Sequence, residues 1–378
     1  MRIGIPKETT AGERRVALVP ESGKKLIQAG YEVSIEAGAG AAAGFADAAY
    51  HDAGVTLESD PGAVHATDLV LKVNAPEQHE IAGMRPGCIY LGSLMPLRNL
   101  EAVRALATRG VTAFSTDAIP RTTRAQSMDT LSSMANIAGY KGALLAAAEL
   151  GKYFPMLMTA AGMVPPARVF VIGAAVAGLQ AIATARRLGA NVFATDVRPE
   201  VKEQIESVGA KYVGIELKDT ASAGGGYAKE LTEADRARQR ELLAAQCAQS
   251  DVVITTALIG GVFAPQLISA DMVKGMRPGA VIVDLAADGG GNCELSRPGD
   301  TVVEHGITIL APLNLAATMP AHASLLFSRN LTAFVQAFTQ DKAFRVDFTD
   351  DIQQGAAITH GGEVKHARTR DALQKVAT

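Results

Sequence analysis

Cysteine is scarce in this chain of 378 residues: only Cys88, Cys247 and Cys293 are present. They lie too far apart for a zinc knuckle or a CxxC redox pair, so no metal site is expected, and so sparse and odd a count suits a reducing cytosol. A basic excess is missing as well. Lys plus Arg is 36 against 39 Asp plus Glu, a net charge of −3. Nothing is left over to neutralise a phosphate backbone, which argues against nucleic acid as a partner. The start, MRIGIPKETT, is charged at once and has no apolar h-region, so it is not read as a signal peptide. Between Arg168 and Arg186 lie 17 uncharged residues, just short of a membrane span. A strand, a glycine turn and a helix explain that stretch better. The chain therefore reads as soluble, with no direct membrane insertion.

What is present is apolar and periodic. Hydrophobic residues make up 48% and charged residues 20%, enough for a sizeable core. At roughly 150 residues per domain the length fits two domains. Short runs rich in Val and Ile alternate with helical stretches: Arg2–Pro6, Glu32–Glu36, Asp68–Asn74, Cys88–Leu94 and Val111–Thr116. A polar, hydroxyl-dense segment follows Pro120 and leads into an Ala-rich helix near Leu131–Leu150. Met156–Arg168, with Pro155, Pro165 and Pro166, reads as a linker or surface crossing. A second series then begins: Val169–Gly173, Asn191–Asp196, Lys211–Ile215, Asp251–Ala257, Ala280–Ala286 and Ile307–Pro312. A helix near Ser324–Thr339, two β-like runs (FRVDF and AAITHGGEVK) and a charged terminus complete the chain. Strands alternating with helices predict an α/β protein. The expected architecture is two Rossmann-like, doubly wound parallel-sheet domains separated by a cleft. Residues 1–128 with 320–378 would form the first, the C-terminal segment completing it. Residues 129–319 would form a dinucleotide-binding second.

Val169–Asp196 reads VFVIGAAVAGLQAIATARRLGANVFATD. A strand enters a turn at Gly173, a helix leaves through Gly178, and a second strand ends at Asp196. This is the βαβ context of a dinucleotide-binding fingerprint. Gly173 suits the tight turn and Gly178 the close helix–strand packing, while the helix N-terminus can hold a pyrophosphate. The middle glycine is replaced by Ala175. Asp196 can accept both ribose hydroxyls and would repel a 2′-phosphate, favouring NAD over NADP, whereas Arg198 could admit the phosphate. Gly173, Ala175, Val176, Gly178, Asp196, Val197 and Arg198 are therefore the candidate cofactor residues of this turn.

Four segments carry a family resemblance: PRTTRAQSMDTLSSMANIAGY at Pro120–Tyr140, GGGYAKE at Gly224–Glu230, DVRPEVKEQ at Asp196–Gln204, and VDLAADGGGNCE at Val283–Glu294. With these, nearly the whole chain resembles the NAD(H)-binding component, the soluble portion of the α-subunit, of proton-translocating NAD(P) transhydrogenases. Alanine dehydrogenases are the wider relatives. The resemblance implies an oxidoreductase/translocase component of the Re/Si-specific type, with hydride passing between NADH and NADP+ held by a partner subunit. It also implies a homodimer, a separate membrane subunit through which proton movement is coupled, and a cytoplasmic location at the periphery of the inner membrane. Arg121, Gln126, Asp129 and Ser132 would then lie over the nicotinamide; Arg121 and Asp129 can pair, and Ser127 or Asp129 can cap the following helix. Gly226, Tyr227 and Ala228 would belong to a mobile loop closing over bound nucleotide, and Ala257 and Leu258 would face it. Two segments depart from the family: IGGVFAP after Leu258 lacks the usual Pro and Lys, and LAATMP at Leu315–Pro320 lacks an Arg.

Other readings are an alanine dehydrogenase-like enzyme and a catalytically idle NAD-sensing or assembly subunit. An amino-acid dehydrogenase must move a proton as well as a hydride. A His is expected near Ile89–Ser93 for that, and the sequence there is IYLGS. The histidines, His51, His65, His79, His305, His322, His360 and His366, all read as surface residues. Arg15, Lys72 and Asp288 match dehydrogenase positions, and Arg15 and Lys72 are expected to be fold-level ion pairs.

Overall fold

A computed structural model describes residues 1–214, 222–223, 227–228, 233–258 and 264–377. The chain splits into two compact units, Met1–Met134 with Ala317–Thr378, and Ala135–Ala316. The first contains strands β1 (Arg2–Ile5), β2 (Glu32–Glu36), β3 (Thr56–Glu58), β4 (Leu69–Leu71), β5 (Ile89–Gly92) and β6 (Thr112–Ser115). The second contains β7 (Arg168–Ile172), β8 (Asn191–Thr195), β9 (Lys211–Tyr212), β10 (Val252–Thr255), β11 (Val281–Asp284), β12 (Thr301–Glu304) and β13 (Ile307–Leu310). Two late strands, β14 (Ala357–His360) and β15 (Glu363–Val364), return to the first unit.

The first sheet runs β15-β14-β6-β5-β4-β1-β2-β3. Strands β1 to β6 are parallel, and β14 joins antiparallel at the β6 edge. The second sheet runs β9-β8-β7-β10-β11-β13-β12, parallel except for the antiparallel β12. In each sheet the chain winds outward from one central strand, then crosses back to that strand's other side. This is the doubly wound arrangement expected from the alternating pattern. A parallel strand covered on both faces reads as an unbroken apolar run. Strand β7 illustrates why: Val169 and Val171 pack into one buried cluster, Phe170 and Ile172 into the other.

Four helices carry or brace candidate residues within their own units: α1 (Thr130–Glu149), α2 (Val176–Arg187), α3 (Pro320–Ala337) and α4 (Asp351–Ala356). Within α1, Gly139 faces the start of α2 so closely that a Cβ there would lie 2.0 Å from the Ala177 carbonyl oxygen.

Some expectations need correction. FRVDF is not a strand; only Phe344 is paired, in a two-residue bridge with Thr339. Asp347 turns the chain beyond it, its Oδ1 accepting from Thr349 N at 2.8 Å and Thr349 Oγ1 at 2.6 Å. Within Met156–Arg168 a small antiparallel hairpin forms, Leu157–Thr159 against Gly162–Val164. The charged terminus is a helix, Ala367–Ala377. His65 is not a surface residue: it is buried, with Nδ1 2.7 Å from the Pro61 carbonyl and Nε2 3.5 Å from Glu80.

Candidate functional site

In the second unit the order of strands reverses between β7 and β10. Ligands of open α/β sheets bind outside the carboxyl ends of strands at such a point. Gly173 follows β7, Asp196 follows β8, and Ala257 and Leu258 follow β10. Neighbouring register holds these ends level: Ile172 pairs with both Thr195 and Thr255. Gly173 takes φ +93°, the left-handed turn that favours glycine. Gly178 is demanded by space, since a Cβ there would lie 1.9 Å from the Gly173 carbonyl oxygen. That oxygen also accepts from Thr256 Oγ1 at 3.0 Å.

Ala175 is the N-cap of α2 with φ −77° and ψ −166° and provides no side-chain cap. At this negative φ a methyl group causes no backbone strain, so the alanine is compatible with the turn. The first N–H groups of α2, from Val176 onward, have no side-chain acceptor at the N-cap, which leaves a cradle suited to an anion. A dinucleotide pyrophosphate therefore fits the residues present: a tight turn at Gly173, a helix N-terminus without a side-chain cap, and a carboxylate one strand away.

Asp196 is nearly buried and accepts from Ala174 N at 2.8 Å, Arg198 N at 3.0 Å and the Arg198 guanidinium at 2.9 Å. Burial pushes its carboxyl up, but the hydrogen bonds from Arg198 and Ala174 outweigh that and hold it below the usual carboxylate range. Val197 lies between these two side chains in sequence.

Sequence reasoning missed two buried polar anchors. Asn292, fully buried, clasps Ala257 from both sides, Oδ1 accepting from its N–H at 3.0 Å and Nδ2 donating to its carbonyl at 2.8 Å. Asp284 accepts from Thr255 Oγ1, Ala286 N, Cys293 N and Ser296 Oγ at 2.7–3.1 Å. Together they fix the loops that follow β10 and β11. The signal was a lone Asp at the end of an apolar strand and an Asn closing three glycines.

In the first unit, Arg121, Gln126, Asp129 and Ser132 line one pocket of about 310 Å³ with Ile119, Pro120, Thr122, Thr123 and Ala125. Asp129 caps α1, its oxygens accepting from Ser132 N at 2.8 Å and Ser132 Oγ at 2.6 Å. The expected cap is therefore Asp129, not Ser127. The carboxylate is committed to Ser132, and no Arg121–Asp129 ion pair forms among the described residues. Arg121 and Gln126 are exposed. Two further residues brace this loop. Asn330 on α3 donates to the Ser127 carbonyl at 2.8 Å and accepts from Ser133 Oγ at 2.8 Å. Arg124 bonds Asp350 at 2.6 Å and also Asp351, at the start of α4.

The loop Gly224–Glu230 falls largely outside the described residues, Gly226 included. Tyr227 and Ala228 pair with Ser222–Ala223 through their backbones. In the IGGVFAP departure, residues 259–263 lie outside as well. Leu315–Thr318 is a single 3-10 turn with Leu315, Ala316 and Ala317 buried.

The dehydrogenase-like positions carry their own counter-ions. Lys72 is buried with Nζ 2.6 Å from Glu80 and 3.6 Å from Glu8, and Arg15 pairs with Glu13 at 2.6 Å. Burial raises the Glu8 carboxyl above its ordinary range despite Lys72. Burial also raises Glu80, but the neighbouring His65 and the hydrogen-bonded Lys72 ammonium bring it down to about 2. Where a dehydrogenase histidine is expected, Ser93 Oγ donates to Asp117 at 3.2 Å. Asp288 is exposed, in a 3-10 turn after β11.

Comparison with known proteins agrees in kind. The family model described as alanine dehydrogenase/PNT, N-terminal domain, matches residues 4–138, and its C-terminal counterpart matches 142–367. An NAD(P) transhydrogenase alpha-subunit chain of Rhodospirillum rubrum is 46% identical over 376 residues, 97% of this chain and 98% of that protein. The alanine dehydrogenase of Bacillus subtilis is 31% identical over 333 residues, 86% of this chain and 82% of its own. A crystal structure of transhydrogenase from Sinorhizobium meliloti superposes with a TM-score of 0.88 at 43% identity, covering 96% of this chain and 100% of that one.

Proposed function

The chain belongs to the alanine dehydrogenase/PNT family, and from that premise we propose that it is the NAD(H)-binding subunit of a proton-translocating NAD(P) transhydrogenase of the Re/Si-specific type. Its partners are an NADP(H)-binding subunit and a membrane subunit. The higher identity to transhydrogenase subunits, 46% against 31% for the alanine dehydrogenase, supports this over an amino-acid dehydrogenase.

The observation that carries the reading is the turn at Gly173 and Gly178 with Asp196 beside it. Gly173, Ala175, Val176, Gly178, Asp196 and Val197 would hold the adenosine and pyrophosphate, with Arg198 beside them on Asp196, and Ala257 and Leu258 would border them. Bound NAD(H) supplies the hydride. Transfer between two nicotinamides moves no proton at the reacting carbons, so the chain's task is to align a ring and keep water away. Arg121 and Gln126, exposed on a braced loop, have the donors to orient a nicotinamide ribose or carboxamide. Asp129 and Ser132 hold that loop against α1.

An amino-acid substrate would need a free cation for its carboxylate and a group to take its proton. Lys72 and Arg15 are engaged by Glu80, Glu8 and Glu13, and the segment Ile89–Ser93 contains no histidine. Association of two copies is part of the proposal. The hairpin at Leu157–Val164 and its approach expose Tyr153, Met156, Met158 and Met163, an apolar patch that a second copy can cover. No described helix is long and apolar enough to cross a membrane, consistent with a separate membrane subunit.

The chain incubated with NAD+ and L-alanine should give no NADH absorbance, and should bind NADH in equilibrium titration. Turnover of L-alanine at an ordinary enzymatic rate would replace this reading with the dehydrogenase.

A further inference from the structure

Asp196 is the carboxylate assigned above to the adenosine ribose, yet its acceptor positions are filled. Oδ1 accepts from Arg198 N at 3.0 Å and Arg198 Nε at 2.9 Å. Oδ2 accepts from Ala174 N at 2.8 Å and Arg198 Nη2 at 2.9 Å. An ionised carboxylate has about four lone-pair sites, so the set is complete. Two donors are backbone amides that belong to the turn itself. The other two come from one side chain, which can move. The pair is shielded, with side-chain exposures of 18% for Arg198 and 6% for Asp196, so water screens it little.

A ribose diol needs the acceptor sites that the guanidinium fills. It can reach Asp196 only by exchanging with Arg198. Once displaced, the guanidinium stays tethered two residues away, beside the ribose 2′ position. A phosphate there would meet a planar, always-charged fork whose geometry matches it. A bare carboxylate repels a 2′-phosphate; one that carries its own arginine repels it far less.

We propose that Arg198 sets the nucleotide selectivity of this site, competing with the ribose diol for Asp196 and offering a cation to a 2′-phosphate. The proposal rests on the NAD(H)-binding reading of the turn. Asp196 still makes NADH the preferred ligand, and Arg198 narrows the margin over NADPH.

The test is equilibrium titration of the full chain with NADH and with NADPH, followed by nucleotide fluorescence, for the unmodified protein, Arg198→Ala and Arg198→Gln. Glutamine keeps a hydrogen-bond donor without the charge and guards against a badly folded alanine variant. Both variants should bind NADPH about tenfold more weakly and NADH about two- to threefold more tightly. Raising the salt concentration should shrink the NADPH effect. An unchanged NADPH-to-NADH ratio in both variants, with NADH still bound, would overturn the role of Arg198 and leave the cofactor reading standing. No binding of either nucleotide to the unmodified chain would overturn both.

Discussion

Gly178→Ala puts the close approach at the proposed cofactor turn to a direct trial. The added Cβ would lie 1.9 Å from the Gly173 carbonyl oxygen, 2.8 Å from its carbon and 3.1 Å from Thr256 Oγ1. Two of these neighbours are backbone, so no flexible side-chain end can yield. The turn must open by about 1 Å, which over-packing of this kind resists by about 1–3 kcal/mol. Opening also stretches the Thr256 Oγ1 bond to Gly173, at 3.0 Å, worth about 1 kcal/mol. The sum is about 3 kcal/mol, or a fall in Tm of about 6–12 °C. The same shift moves the N-terminus of α2 relative to Asp196, so NADH should bind at least about tenfold more weakly. Calorimetric unfolding and NADH titration of the two proteins measure both effects. Ala175→Gly is the contrast: φ is −77°, the side chain is exposed, and stability should change by less than about 0.5 kcal/mol. A Gly178→Ala chain with unchanged Tm and NADH affinity would refute the argument from close approach.

Four other substitutions have stated expected outcomes. Gln126→Asn or Arg121→Ala should leave the NADH Kd within about tenfold and slow the transfer step about 10²-fold, because the loop aligns more than it holds; loss of binding with a normal rate at saturation would reverse that assignment. Asn330→Ala strands the Ser127 carbonyl and Ser133 hydroxyl and should lower stability by about 2–3 kcal/mol by urea unfolding, whereas a change below about 0.5 kcal/mol would deny the brace. Glu80→Gln breaks a buried pair with Lys72, at about 3 kcal/mol near neutral pH. Because the folded carboxyl lies at about 2, below its ordinary value, its stabilisation is whole above about pH 4.5 and is lost as pH falls towards 2. The two proteins should therefore converge in acid, and a constant difference down to pH 2 would contradict the buried-pair account.

Much of the fold was legible because buried parallel strands are unbroken apolar runs. Val169–Gly173 and Asn191–Asp196 announced β7 and β8 almost to the residue. FRVDF misled because a short alternating run resembles a strand whether or not a partner edge exists, and Asp347 turns the chain away. His65 misled because the side chain looks polar in isolation; its burial follows from Glu80 and Pro61, which only folding brings near. The turn proposed to hold the cofactor was legible as a strand–turn–helix through Gly173, Gly178 and Asp196, whose spacing is local. The braces were not. Asn330 holds Ser127 across 203 residues, and Arg124 reaches Asp350 across 226, separations at which sequence pattern carries no signal.

Hydride transfer itself is the most direct measurement. The chain, loaded with NADH, is mixed in a stopped-flow instrument with an NADP(H)-binding transhydrogenase subunit carrying NADP+. The account predicts NADPH formation that needs both proteins, saturates with the partner, and proceeds without L-alanine or any added acid or base. Tight NADH binding with no transfer to bound NADP+ at saturating partner would contradict it, leaving a nucleotide-binding chain without the proposed reaction.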